Sequence, residues 1–154
     1  MKLASRYDVE TPIDRVFQEL VNIDQWERAA MRRGADVTRT DRLTAPGPGM
    51  TWVSKFRYHG KDRTATLRID RLDAPSRLDL AAMSAMADAR IVIDLVELSV
   101  KRTRLQIQVE VKPKTLAAKF YVQSLKLART RVERKFQSRV SHFVLELEDR
   151  IRRR

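Results

Sequence analysis

The chain has 154 residues, no cysteine and a formal net charge of +12. This length suits one domain, residues 1–154, with a core of its own, and the lack of cysteine excludes disulfides, thiolate metal sites and cysteine nucleophiles. Charged residues break up the first eight positions before an apolar run can form, and no apolar segment nears the roughly 18 residues of a membrane span. The expectation is therefore a soluble cytoplasmic protein without a signal peptide. Residues 112–154 hold 13 Lys and Arg against 4 Asp and Glu, so +9 of the charge sits there. That asymmetry fits a cationic face for an anionic membrane, nucleic acid or acidic partner, and it fits equally a long helix kept soluble by its basic residues.

Leu3, Ser5, Tyr7 and Val9 alternate with Lys2, Arg6, Asp8 and Glu10, which predicts a half-buried first strand. Thr11 as N-cap, Pro12 at the first helical position and Asp14 in the first turn predict a helix whose apolar face is Ile13, Val16, Phe17 and Leu20. A second short helix from Ile23 to Arg33 carries Trp26 and ends at Gly34. Residues 35–43 read as a modest strand, and Ala45-Pro46-Gly47-Pro48-Gly49 as a loop.

From Met50 the alternation is strict. Met50, Trp52, Ser54, Phe56 and Tyr58 take one face, while Thr51, Val53, Lys55, Arg57 and His59 take the other. His59 to Asp62 reads as a turn, followed by Ala65, Leu67 and Ile69 against Thr64, Thr66, Arg68 and Asp70. After a turn at 73–76, strands with Leu78 and Leu80, with Ile91, Ile93 and Leu95, and with Leu105, Ile107 and Val109 imply a meandering antiparallel sheet with one wet face. Beyond Pro113 there is neither Gly nor Pro, and Lys112 to Arg154 reads as one long helix. Its stripe of Ala118, Val122, Leu125, Val132, Phe136, Val140, Phe143 and Leu147 lies along the sheet, interrupted by Arg129. Leu116, Phe120 and Leu127 form a second apolar line nearly opposite the first.

This order of elements, an α+β arrangement, resembles the START-like or SRPBCC superfamily, which includes polyketide cyclase/dehydrase and lipid-transport proteins. The resemblance covers essentially the whole chain. The residues that carry it are Thr11-Pro12-Ile13-Asp14-Arg15-Val16-Phe17, Asp24-Gln25-Trp26-Glu27 and Gly47-Pro48-Gly49-Met50-Thr51-Trp52. It implies a helix-grip fold: a curved antiparallel sheet of about seven strands wrapped around the C-terminal helix, with two short helices between the first and second strands. It also implies a cavity for hydrophobic ligands between sheet and helix, and it carries over no catalytic residues.

On that basis Trp52, Phe56 and Tyr58 face either a ligand cavity, opposite the first half of the last helix, or a filled core. Leu67, Leu80, Ile93, Glu97 and Phe120 complete the candidate ligand-binding set. Glu97 continues the parity of Ile91, Ile93 and Leu95, so it is either an interior polar anchor or base, or a residue where the strand has already reached water. Asp41, sharing a strand with Arg39, is the other candidate carboxylate. His59 points outward and His142 sits on a basic helix, so no metal site is expected, and no cofactor is expected either. Three functions follow: a carrier or sensor of a hydrophobic small molecule or lipid, in transient contact with an anionic membrane; a polyketide cyclase/dehydrase-like or hydrolase-like enzyme using the same cavity; and a basic interaction module. Nucleic acid is not expected, because the basic residues lack interleaved aromatics on exposed strands for base stacking.

Overall fold

In the computed structural model, which describes residues 1–154, seven strands form one antiparallel sheet: β1 (Lys2–Val9), β2 (Asp36–Arg39), β3 (Thr51–Tyr58), β4 (Lys61–Asp73), β5 (Arg77–Ser84), β6 (Ala87–Ser99) and β7 (Arg102–Pro113). Their spatial order is β1-β7-β6-β5-β4-β3-β2, so the first strand closes beside the last and β2 forms the far edge. Helices α1 (Ile13–Leu20) and α2 (Ile23–Arg32) lie between β1 and β2, and α3 (Leu116–Leu127) and α4 (Arg129–Arg152) follow β7. This is the expected helix-grip arrangement.

Register places apolar residues opposite one another on the inner face. Tyr7 pairs with Leu105, Leu105 with Leu95, Ile107 with Ile93, Ile91 with Leu80, Leu80 with Ile69 and Leu67 with Trp52. Such cross-strand pairs are the unit of sheet stabilisation. The outer face carries arginine–aspartate pairs instead. Arg104 meets Asp8 at 2.9 Å, and Asp79 lies between Arg77 at 2.7 Å and Arg90 at 3.5 Å. The Arg77 guanidinium, aided by Arg90, holds the Asp79 carboxyl below its ordinary range even though burial opposes this.

Helix α1 starts one residue later than expected. Pro12, not Thr11, caps it, and its carbonyl receives the N–H groups of Arg15 and Val16. Thr11 is buried instead, its carbonyl accepting from the Thr103 hydroxyl at 2.7 Å, which ties the start of α1 to β7. Helix α2 begins where the Asn22 side chain accepts the Gln25 N–H, and it ends with Gly34 at φ +88°, a left-handed position glycine takes at little cost. At the β3–β4 turn, His59 and Gly60 both have positive φ, giving a two-residue hairpin tighter than the four residues expected. Strand β4 therefore resumes at Lys61.

Strand β2 stops at Arg39 because a side chain takes over from the ladder. Asp41 accepts a two-pronged bond from Arg39, at 2.7 and 2.5 Å, and also the backbone N–H groups of Leu43 and Thr51. The Arg39 bond first, then the two backbone donors, hold its carboxyl far below the ordinary carboxylate range. Asp41 is thus a structural acceptor, and the acid/base role open to it in the sequence does not fit.

The single helix expected over 112–154 is two. Between Leu127 and Arg129 the chain breaks at Ala128, with φ −108° and ψ 37°, and the Ala128 N–H bonds back to Leu125. The break falls where the apolar stripe skips a turn. A continuous helix would carry Arg129 onto the sheet-facing side, whereas the break leaves Arg129 exposed and 2.8 Å from Glu133. Val140, Val144, Leu147 and Ile151 of α4 then enter the core with Val9, Val16, Phe17, Leu95 and Leu105.

This packing is testable at two places. Leu147→Ala, at a site with no solvent exposure, should lose about 2–5 kcal/mol in urea unfolding, while Leu145→Ala on the exposed side should lose less than about 1 kcal/mol; equal losses would mean that α4 is rotated on the sheet. Asp41→Asn should destabilise the protein most near neutral pH. A depressed carboxyl contributes stability above its unfolded value of about 3.9 and loses it as pH falls, so the gap between parent and variant should begin to narrow below about pH 5 and still be narrowing at about pH 2, and a gap independent of pH would refute the ionised Asp41–Arg39 pair.

Candidate ligand-binding cavity

Between the sheet and the helices lies a cavity of about 500 Å³, lined by 19 residues of which 16 are hydrophobic. The strands supply its floor: Trp52 and Ser54 of β3, Leu67 and Ile69 of β4, Leu78 and Leu80 of β5, Ile91 and Ile93 of β6, and Ile107 of β7. Each lies two residues from the next on its own strand, as one face of a pleated sheet requires. The roof comes from the end of α1 (Leu20, then Val21), from Ile23, Trp26, Glu27 and Ala30 of α2, and from Val37 of β2. Arg139, Val140 and Phe143 of α4 close the remaining side.

Two indoles fix the roof to its surroundings. Trp26 donates its Nε1–H to the Leu20 carbonyl at 2.8 Å, which holds α2 against the end of α1. Its ring stacks on Phe143 with centroids 5.4 Å apart, and the Arg150 guanidinium lies 5.2 Å from its centroid. Trp52 donates to Glu27 Oε1 at 3.0 Å, and Arg39 lies 5.8 Å from the Trp52 ring, so the middle of α2 is also pinned to β3. Both bonds satisfy indole donors that would otherwise be left unpaired beside apolar surface.

The polar lining reduces to Glu27, Ser54 and Arg139. Glu27 keeps acceptor capacity beyond the Trp52 bond, Ser54 offers a hydroxyl, and Arg139 offers a cation. The site suits an apolar body carrying one polar or anionic group. A larger depression of about 910 Å³ along β1 is lined mainly by charged and polar groups, among them Lys2, Arg77, Arg90, Asp94, Glu110 and Glu133, and provides no apolar enclosure. The smaller cavity is the better ligand site on chemistry.

Of the candidates named from sequence, Trp52, Leu67, Leu80 and Ile93 come together in this cavity. Phe56, Tyr58, Glu97 and Phe120 do not. Phe56 and Tyr58 keep the parity of Trp52, but α2 covers only the start of β3, so the strand runs out from under the helices and Tyr58 is 53% exposed. Glu97 sits past the end of the core, where β6 reaches a register shift before Ser99, and stands in water. Phe120 points away from the sheet on α3. The cavity faces the middle of α4, not the first half of a continuous C-terminal helix, because α3 packs against β7 and the start of the last helix is redirected there. Sequence reasoning did not assign the other lining residues to the site, among them Ile23, Glu27 and Ala30 of α2, Val37 of β2, and Arg139 and Phe143 of α4. The strong amphipathic pattern of α2 was the signal available for the first three.

No protein-family model matches the chain, and no curated protein matches it. Solved structures do. The Zhui aromatase/cyclase from Streptomyces sp. R1128 is 15% identical, with 98% of this chain and 95% of that one covered at a TM-score of 0.69. The protein TTHA0849 from Thermus thermophilus is 12% identical over 98% and 97% of the two chains, at a TM-score of 0.66. A START superfamily protein from Mycobacterium smegmatis is 10% identical over 87% and 95%, at 0.56. At these identities the likeness speaks for fold and leaves the cavity residues to be read for themselves. The chain therefore has a helix-grip fold like that of these START-like structures.

Proposed function

We propose that residues 1–154 act as one unit that carries or senses a hydrophobic small molecule or lipid in the cytoplasm. The observation behind this reading is the apolar cavity itself: about 500 Å³ with 16 of 19 lining residues hydrophobic, within the roughly 300–1,000 Å³ of small-molecule sites. A packed core leaves few voids larger than a water molecule, so a space of this size between well-formed elements is there to be filled. The ligand is an aliphatic or ring-fused body, its polar end toward Glu27 and Arg139. The START superfamily protein and the aromatase/cyclase that share the fold support a ligand-binding use of the same space.

A second reading, a cyclase-like or hydrolase-like enzyme in which the cavity folds a reactive chain, rests on the likeness to the aromatase/cyclase and on Glu27 as the one carboxylate at the wall. It asks Glu27 to take a proton on the oxygen that the Trp52 bond leaves free, a further role that carriage does not require. Carriage asks only for what the wall already has. Turnover of an added polyketide or ester, abolished in Glu27→Gln, would favour the enzyme.

An environment-sensitive apolar dye should bind the protein and be displaced by long-chain fatty acids or polyaromatics. Ala30→Trp, which fills the cavity from its roof, should weaken dye binding by about tenfold or more, and Tyr58→Ala, outside the cavity, should leave it unchanged. Equal effects of the two substitutions, or dye binding untouched by Ala30→Trp in a folded variant, would overturn the assignment.

A further inference from the structure

Helix α3 uses one side and bares the other. Ala118 and Val122 are buried toward β7, and the Thr115 side chain caps the helix by accepting the Ala118 N–H at 3.1 Å, so its rotation is set. On the opposite side Leu116, Phe120 and Leu127 are 73%, 71% and 92% exposed. At 1.5 Å per residue that ridge runs roughly 16 Å. The principal neighbours of α3 are β7 and α4, and neither α1 nor α2 covers the ridge. The apolar face is left bare by its own chain.

The charged residues of its own segment are all cationic. Residues 111–132 contain Lys112, Lys114, Lys119, Lys126, Arg129 and Arg131 and no Asp or Glu. Lys114 and Arg129 bond Asp88 and Glu133, while Lys112, Lys119, Lys126 and Arg131 are exposed and make no ion pair. A second copy of this chain would set like charges against one another around the ridge, at a cost that two leucines and a phenylalanine offset poorly. Single-stranded nucleic acid would use Phe120 and the exposed Tyr121 beside it but has no stacking use for Leu116 and Leu127. An anionic lipid surface uses both features at once, the lysines at the headgroups and the apolar side chains in the acyl boundary.

We propose that α3 docks the protein on anionic phospholipid membranes through Leu116, Phe120 and Leu127. The docking stands on the surface of α3 alone; its use, loading or unloading the cavity at the membrane, rests on the ligand-carrying reading above.

Co-sedimentation of the full chain with vesicles tests it, using phosphatidylcholine alone and phosphatidylcholine with phosphatidylserine. Binding should appear with the anionic vesicles only and fall away at 1 M salt, where charge–charge attraction reaches only about 3 Å. Phe120→Ser should lower it several-fold, and Lys119→Glu with Lys126→Glu by about tenfold or more. All three positions are exposed, and circular dichroism and unchanged dye binding in the cavity confirm that the variants are folded. Equal binding to neutral vesicles, no binding to either, or a concentration-dependent dimer that Phe120→Ser abolishes would each overturn the proposal, as would tighter binding to single-stranded RNA than to anionic vesicles. Vesicle binding without dye binding would sink the ligand-carrying reading and leave the docking intact; dye binding without vesicle binding would do the reverse.

Discussion

The constraint on which the rest depends is the burial of one half of one helix. Val140, Val144, Leu147 and Ile151 of α4 are buried against Val9, Leu95 and Leu105 of the sheet and Val16 and Phe17 of α1. Glu19 of α1, itself buried, accepts from Arg150 at 2.9 Å and lies 3.0 Å from Arg154, and Arg15 bonds the Ile151 carbonyl. A buried carboxylate needs such partners, and losing one costs far more than losing an exposed pair. The end of α4 is therefore held on three sides. At its middle Arg139, Val140 and Phe143 line the open space, so the cavity begins where this tight packing stops.

The break at Ala128 divides the C-terminal segment by chemistry as well as by geometry. In α4, acidic residues return and pair with the basic ones: Arg152 and Arg153 with Asp149, and Arg129 with Glu133. In α3 there are no acids at all. Exposed pairs of this kind add little stability, but they neutralise the surface they occupy. Residues 112–132, by contrast, hold six basic residues and no acid, and these flank the apolar ridge that α3 leaves bare. Had the helix been continuous, Arg129 would have lain on the sheet-facing stripe.

Much of this was legible in the residues. Alternation from Leu3 to Val9, from Met50 to Ser54 and from Leu105 to Val109 identifies the inner face because a strand's period is two whatever it packs against. The helix starts near Pro12 and Asn22 and the turn at Gly34 are local in origin, so local sequence shows them. Depth was not legible. Trp52 and Tyr58 share a parity, yet one is buried and the other stands in water, since the difference lies in how far α2 reaches along β3, and that reach is tied to the Glu27–Trp52 contact between residues far apart in the sequence. The same holds for Glu97, whose strand outlasts the core beneath it. The helix break escaped notice because it contains no glycine or proline. The interruption of the stripe at Arg129 was legible, but an arginine can also snorkel out of a continuous helix, so the interruption alone does not announce a break.

Helix α2 links the cavity to the rest of the protein. It has a strongly apolar side, yet none of its residues is buried, because that side faces the cavity and not a packed wall. Its attachments are few: Trp26 to Leu20 and Phe143, and Glu27 to Trp52. A roof held by so few contacts belongs to the less stable part of a fold, the part from which binding elements are drawn. A ligand that covers Ile23, Trp26 and Ala30 removes from water the apolar surface that α2 cannot bury alone. Under the ligand-carrying proposal, stabilisation by a ligand would act on α2 and, through Trp26 on Phe143, on the same α4 whose far end is fixed by Glu19.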